Sequence, residues 1–183
     1  MKNFLKAAAL CAMFASYNAS ASSFDFSYLF GDGTSLTGTL SGDLNGSLVT
    51  NISNVHVFLN GTEFSGGSLF AAAWNTTTHD WDNTIPAVVS TNAALNNFIF
   101  ADADVPTDFG VSNYFYFVND PASPGNQVFA NNLNTGDIAL DDTPNGSWSL
   151  TAVPTPIPAA LPLLISGIGL LGAAGRRRAA GLL

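Results

Sequence analysis

Phe24-Asp25-Phe26-Ser27-Tyr28-Leu29-Phe30 sets an aromatic ring at every second position, and Gly31-Asp32-Gly33 follows it. A period of two places the four rings on one face of an extended strand, with Asp25, Ser27 and Leu29 on the other. The Gly-Asp-Gly that follows turns the chain back. Working outward, Leu36, Gly38, Leu40, Gly42, Leu44, Gly46 and Leu48 fall on one face if the next run is one continuous strand. Thr37, Thr39, Ser41, Asp43, Asn45 and Ser47 then fall on the opposite face. A period of four in that run also suits a helix, but its Gly, Thr and Ser content argues against one. Val55, Val57 and Leu59 alternate next and end at Asn60-Gly61, the pair favoured in two-residue hairpin loops.

Further strands are predicted over 68–74, 87–91, 98–101, 114–118, 126–130, 137–140 and 146–152. Asn45 and Asn145 also precede Gly, and Pro106, Pro121, Pro124 and Pro144 punctuate loops. About ten short strands spaced roughly 8–12 residues apart predict an all-β fold. The expected domain, over residues 22–152, is an antiparallel β-sandwich or jelly roll with a Phe-rich core.

Charge is unevenly placed along the chain. Five Lys and Arg stand against 13 Asp and Glu, for a net charge of -8. The basic residues are Lys2, Lys6, Arg176, Arg177 and Arg178, all near a terminus, while every acid lies between Asp25 and Asp142. A nucleic-acid binder needs a basic footprint, so that class is excluded, and an acidic surface argues against docking on acidic membranes. Cys11 is the one cysteine, so a disulfide scaffold is excluded too.

The two ends read as addresses. Residues 1–21 have the parts of a secretory signal peptide: a basic start, an apolar run over 7–15, and Ala19-Ser20-Ala21, which predicts cleavage after Ala21. An amphipathic first helix of the domain is the alternative, but the run is apolar all round. Cys11 does not suit lipidation, because Leu10 stands where a small residue is needed. At the other end, residues 157–175 carry no charge. As a helix they would span about 28 Å, near the thickness of a bilayer's hydrocarbon core. Pro158 and Pro162 fall in or near its first turn, where a missing N–H costs least. Arg176-Arg177-Arg178 follows as a membrane stop, which predicts a transmembrane helix with residues 179–183 as a cytoplasmic tail. A buried core helix is the alternative for this segment. Gly169 and Ala173 add a small-residue face of the kind used in helix pairing.

The order of these parts in residues 153–178 resembles the PEP-CTERM protein-sorting signal of Gram-negative bacteria. It is most similar to the variant whose motif reads Val-Pro-Leu-Pro-Ala. Here the stretch begins Val153-Pro154-Thr155-Pro156-Ile157-Pro158-Ala159, and either Val153 to Pro156 or Thr155 to Ala159 is the register. The commoner form, with Glu between prolines, is absent. The resemblance implies recognition by an exosortase, a membrane-embedded cysteine transpeptidase, then removal of the tail. It also implies an inner-membrane intermediate and delivery to the cell surface or the exopolysaccharide matrix. Independently of the family, closely spaced prolines favour an extended peptide that a protease groove can read.

Residues that could carry chemistry in the exported domain are few. It holds no thiol, no lysine and no Gly-x-Ser-x-Gly. His56 alternates with Val55 and Val57 and is expected on a strand surface, whereas His79 lies in a polar loop. Glu63 is the one Glu, so paired glycosidase carboxylates cannot be ranked. Asp102, Asp104 and Asp108 gather three carboxylates near Pro106, a candidate calcium site without the full EF-hand pattern. Solvated loop acids are the simpler reading of that cluster, and two histidines alone make a poor zinc site. Trp74 and Trp81 flank a polar loop and are the candidate glycan contacts, while Trp148 is expected in the core.

The function expected from sequence is an exported surface or matrix protein without catalysis of its own. The alternatives are an exopolysaccharide-binding module and, after it, a secreted hydrolase. Expected partners are signal peptidase, the export machinery and the exosortase-like transpeptidase. No cofactor is expected other than the candidate Ca²⁺.

Overall fold

The computed structural model describes residues 22–64, 68–102, 112–120, 122, 125–144 and 147–154. The predicted signal peptide with Ala21, and the segment from Thr155 through Arg178, lie outside the described residues. No helix among the described residues is long and apolar enough to cross a membrane.

The strands are β1 (Ser22–Leu29), β2 (Ser35–Asn45), β3 (Leu48–Leu59), β4 (Thr62–Glu63), β5 (Phe70–Asn75) and β6 (Asp80–Asp82). They continue as β7 (Val89–Ser90), β8 (Phe98–Ala101), β9 (Tyr114–Asp120), β10 (Gly125–Asn132), β11 (Asp137–Asp141) and β12 (Ser149–Ala152). The first sheet runs β12-β1-β2-β3-β4, with β7 also paired to β3, and the second runs β11-β10-β9-β8-β5-β6. All pairings between strands are antiparallel. Most neighbours are consecutive in the chain, so the arrangement is sandwich-like and built of hairpins rather than jelly-roll crossings.

The inner faces meet in one aromatic core. Phe24, Phe26, Tyr28 and Phe30 are all buried, as the period of two requires, and so are Val55, Val57 and Leu59. Phe26 of the first sheet approaches Phe100 and Phe115 of the second at ring-centroid distances of 5.8 and 6.1 Å. Trp148, as expected, closes the core against Phe26, Phe98 and Phe117, and its indole N–H donates to the Ser90 carbonyl at 2.6 Å. Such rings dominate core energetics, about 3–5 kcal/mol for each Phe or Trp truncated.

Turn chemistry explains where the strands stop. Leu59 pairs with Thr62 across Asn60 and Gly61, whose φ angles of 49° and 79° are those of a two-residue hairpin loop with both residues left-handed. The run from Leu36 to Leu48 is not one strand. Asn45 pairs with Leu48 around Gly46, at φ 64°, and the alternation lapses just before it, leaving Leu44 51% exposed. The local turn signal therefore outweighs the longer apolar period. Glycine at 38 has a packing reason, since a Cβ there would stand 2.2 Å from the Phe26 ring and 2.4 Å from the His56 carbonyl oxygen. In β3, Asn51 and Asn54 take positive φ and the β2–β3 register shifts beside them. These bulges have no signature in the hydrophobic pattern.

Candidate functional site

The second sheet is apolar on both faces. On the outer face the strand registers align Ala72, Ile99, Tyr116, Phe129 and Leu140 in one row across β5, β8, β9, β10 and β11. The adjacent row holds Phe70, Ala101, Tyr114, Asn131 and Ile138. Strands neighbour one another at about 4.8 Å, so each row is a close-set line of side chains. Ile99, Ala101 and Ala72 are covered, Tyr114, Tyr116 and Phe129 are half-buried, and Phe70, Leu140 and Ile138 are 54, 47 and 62% exposed.

Three rings form the centre of this surface. Tyr114 and Tyr116 each lie within 15° of parallel to Phe129, with centroids 5.3 and 5.6 Å away, and within 8° of each other. The Tyr116 hydroxyl donates to Oε1 of Gln127 at 2.9 Å, and Nε2 of Gln127 donates to Asp142 at 2.9 Å. That chain fixes the ring and lines the surface with polar groups. Burial, with the charges of Tyr114 and Asp142 adding to it, pushes the Tyr116 phenol up to about 12, and burial raises Tyr114 as well. Both hydroxyls therefore stay protonated donors at neutral pH.

The tryptophans border the rings differently from expectation. Trp74 and Trp81 are cross-strand partners, their rings 5.2 Å apart and near perpendicular. Trp81 then meets Tyr116 at 5.3 Å. The segment after Asn75 is a tight hairpin into β6, not an open loop, and Trp81 is 7% exposed, so the expectation of an exposed Trp81 is corrected. Trp74 is partly buried, and its indole N–H donates to the buried Asp120 carboxylate at 2.9 Å. The Asn97 side chain completes the sheet beside it, accepting from the Trp74 N–H at 2.8 Å and donating to its carbonyl at 3.0 Å. His79, held at φ 54°, places Nδ1 3.5 Å from the same Asp120 oxygen. In β6 the Thr84 hydroxyl, aided by its N–H, holds the Asp82 carboxyl below the usual range.

The other sequence candidates are dispersed. Asp102 accepts from the Asn113 backbone and side-chain amides, while Asp104 and Asp108 lie outside the described residues. Among the described residues no three His, Cys, Asp or Glu side chains are grouped to hold a metal. His56 is half-buried on β3 with Nδ1 2.8 Å from Glu63. Of the sorting motif, Val153 and Pro154 are described, and the Val153 N–H donates to the Ser23 carbonyl at 2.8 Å. Pro156, Pro158, Ala159, Arg176, Arg177 and Arg178 lie outside them.

Sequence reasoning missed Tyr114, Tyr116 and Phe129 as surface residues. The signal was present in Tyr114-Phe115-Tyr116-Phe117, where a half-buried strand with one solvated face would alternate ring and polar residue. Rings at every position mean that both faces of β9 are apolar.

Proposed function

We propose that this chain, which no protein-family model, curated protein or solved structure matches, is an exported cell-surface or extracellular-matrix protein of Gram-negative type, sorted by exosortase-like processing of its C-terminal segment. Its exported domain has no catalysis of its own and holds exopolysaccharide on the outer face of the second sheet. The observation that carries the binding part is the near-parallel set of rings Tyr114, Tyr116 and Phe129, half-buried beside the exposed Leu140 and Ile138 of β11. Exposed large apolar side chains grouped around aromatic rings mark a contact site. A sugar ring offers an apolar C–H face to an aromatic ring and hydroxyls at its rim. The polar rim here is Gln127, Asp142 and the Tyr116 phenol oxygen; the amide can donate its second hydrogen, and the oxygens can accept from those hydroxyls. Among the described residues the platform is open along β11, where Ile138 and Leu140 are exposed, which suits a polymer more than a small metabolite.

The export part rests on the ordered ends of the sequence. Intact-mass analysis of surface-released protein tests it, with residues 1–21 and the segment from about Ala159 onward expected to be missing. A full-length C-terminus in that fraction would leave a simple membrane anchor. The binding part is tested by affinity electrophoresis of the exported protein in gels containing neutral and uronate-rich polysaccharides. Retardation is expected to fall roughly tenfold in Phe129→Ala, about 1.4 kcal/mol of binding, and to survive in Tyr116→Phe, which keeps the ring. Equal retardation of Phe129→Ala and the parent chain would sink the platform reading.

A further inference from the structure

The outer face of the first sheet is also ordered in rows, with opposite chemistry. The registers set Thr37, Ser27 and Ser149 side by side across β2, β1 and β12. Thr39, Asp25 and Thr151 form the next row, two residues along each strand. The rows are thus about 6.7 Å apart, and their members about 4.8 Å apart. Together they floor a groove of about 540 Å³, which reaches Phe58 at its β3 side. Phe58 is half-buried and stands beside Thr37, so one wall of the groove is an aromatic ring.

We propose that this groove is a second carbohydrate contact, taking an extended, uncharged glycan segment by its hydroxyls. The domain is then a two-sided cross-linker of matrix polysaccharide. For the ligand class this rests on the reading of the aromatic platform. Among the described residues, none of the six row side chains hydrogen-bonds within the protein, so five hydroxyls and one carboxylate are all open to a ligand. On the second sheet, by contrast, the Tyr116 phenol is already tied to Gln127. Hydroxyls both donate and accept, as a sugar's own hydroxyls do, and a carboxylate accepts from two vicinal hydroxyls at once. The strand spacing is close to the advance per ring of an extended glycan, so successive sugars meet successive strands.

Charge selects against acidic polymers. Asp25 sits on the middle strand of its row, the domain contains no Lys or Arg, and the nearby His56 faces Glu63 at 2.8 Å. A uronate or sulfate would meet repulsion with no cation to offset it. The two contacts lie on the outer faces of sheets that share one core, so they point apart and engage separate glycan chains.

The test uses the exported protein with a soluble neutral β-glucan in short and long forms. Asp25→Ala/Thr39→Ala empties the groove at two exposed positions, and Phe129→Ala weakens the platform. The expectation is that each variant still binds the short glucan, roughly tenfold more weakly at its own site, and that neither precipitates or thickens the long one as the parent does. If the groove variant binds and cross-links as the parent does, the groove is not a contact and the proposal falls, with the platform reading intact. If the groove variant alone abolishes binding, the platform reading falls and with it the two-sided arrangement. Tighter binding of a uronate polymer than of the neutral glucan at the groove would overturn the charge argument.

Discussion

The two outer faces are built by the same rule and come out as opposites. In both sheets antiparallel registers line up every second residue into rows. In the first sheet those residues are Thr37, Thr39, Ser27, Asp25, Ser149 and Thr151, and the strands alternate apolar-in and polar-out. In the second they are Tyr114, Tyr116, Phe129, Ile99 and Leu140, and β8 is buried on both sides. Core packing asks only that the inner residue be apolar. The outer residue is free to be set by solubility or by contact, and here the two sheets have been set differently.

The largest expected effect removes the basis of the comparison. Trp148→Ala should cost about 3–5 kcal/mol, because the ring is buried against both sheets and its N–H is bonded to Ser90. Urea unfolding of the purified protein would measure it, and a loss under 1 kcal/mol would show that the sheets do not depend on this contact. Gly38→Ala should break only the first face. A Cβ so close to the Phe26 ring and the His56 carbonyl forces β2 to shift, at about 1–3 kcal/mol or more. Binding at the Thr37 and Thr39 groove should suffer while binding at Phe129 persists, a split that equilibrium binding to short glucans can read.

Alkaline pH should single out the second face. The Tyr116 phenol is raised to about 12 in the fold, against about 10 in an unfolded chain. The unfolded state therefore loses its proton first, and stability, full below pH ~10, declines as pH rises toward ~12. Melting temperature followed across that window should fall more steeply in the parent chain than in Tyr116→Phe. Identical slopes would remove the burial argument. The smallest effect belongs to Thr39→Val. This exposed side chain makes no hydrogen bond among the described residues, so unfolding free energy should move by less than about 0.5 kcal/mol while glycan binding at the groove weakens. A large stability change would mean that the hydroxyl rows serve the fold rather than a ligand.

How legible each region was follows from how local its cause is. The buried set Phe24, Phe26, Tyr28 and Phe30 could be read directly, because a period of two is a property of one strand. Asn60-Gly61 was legible for the same reason, since both residues tolerate the left-handed conformation the loop needs. Between Leu36 and Leu48 two local signals compete, and the Asn45-Gly46 turn prevails over the apolar period that runs through it. The bulges at Asn51 and Asn54 were silent, because a register shift is a relation between β2 and β3. Of the two candidate tryptophans, Trp74 is partly exposed, whereas Trp81 is buried, because covering it depends on Tyr116 and Trp74 from other strands.

By itself the sequence determined the all-β class, the strand faces toward the core, the hairpin at Asn60-Gly61, and an acidic domain between two basic ends. Those follow from dihedral preference, alternation and charge count, each acting over a few residues. Only the tertiary structure decided that Trp81 is covered, that Tyr116 meets Phe129, and that Thr39, Asp25 and Thr151 share one row. Burial and row membership depend on which strand lies next door. Residues as far apart in the chain as Ala72 and Leu140 come to share a row only once five strands have paired in register.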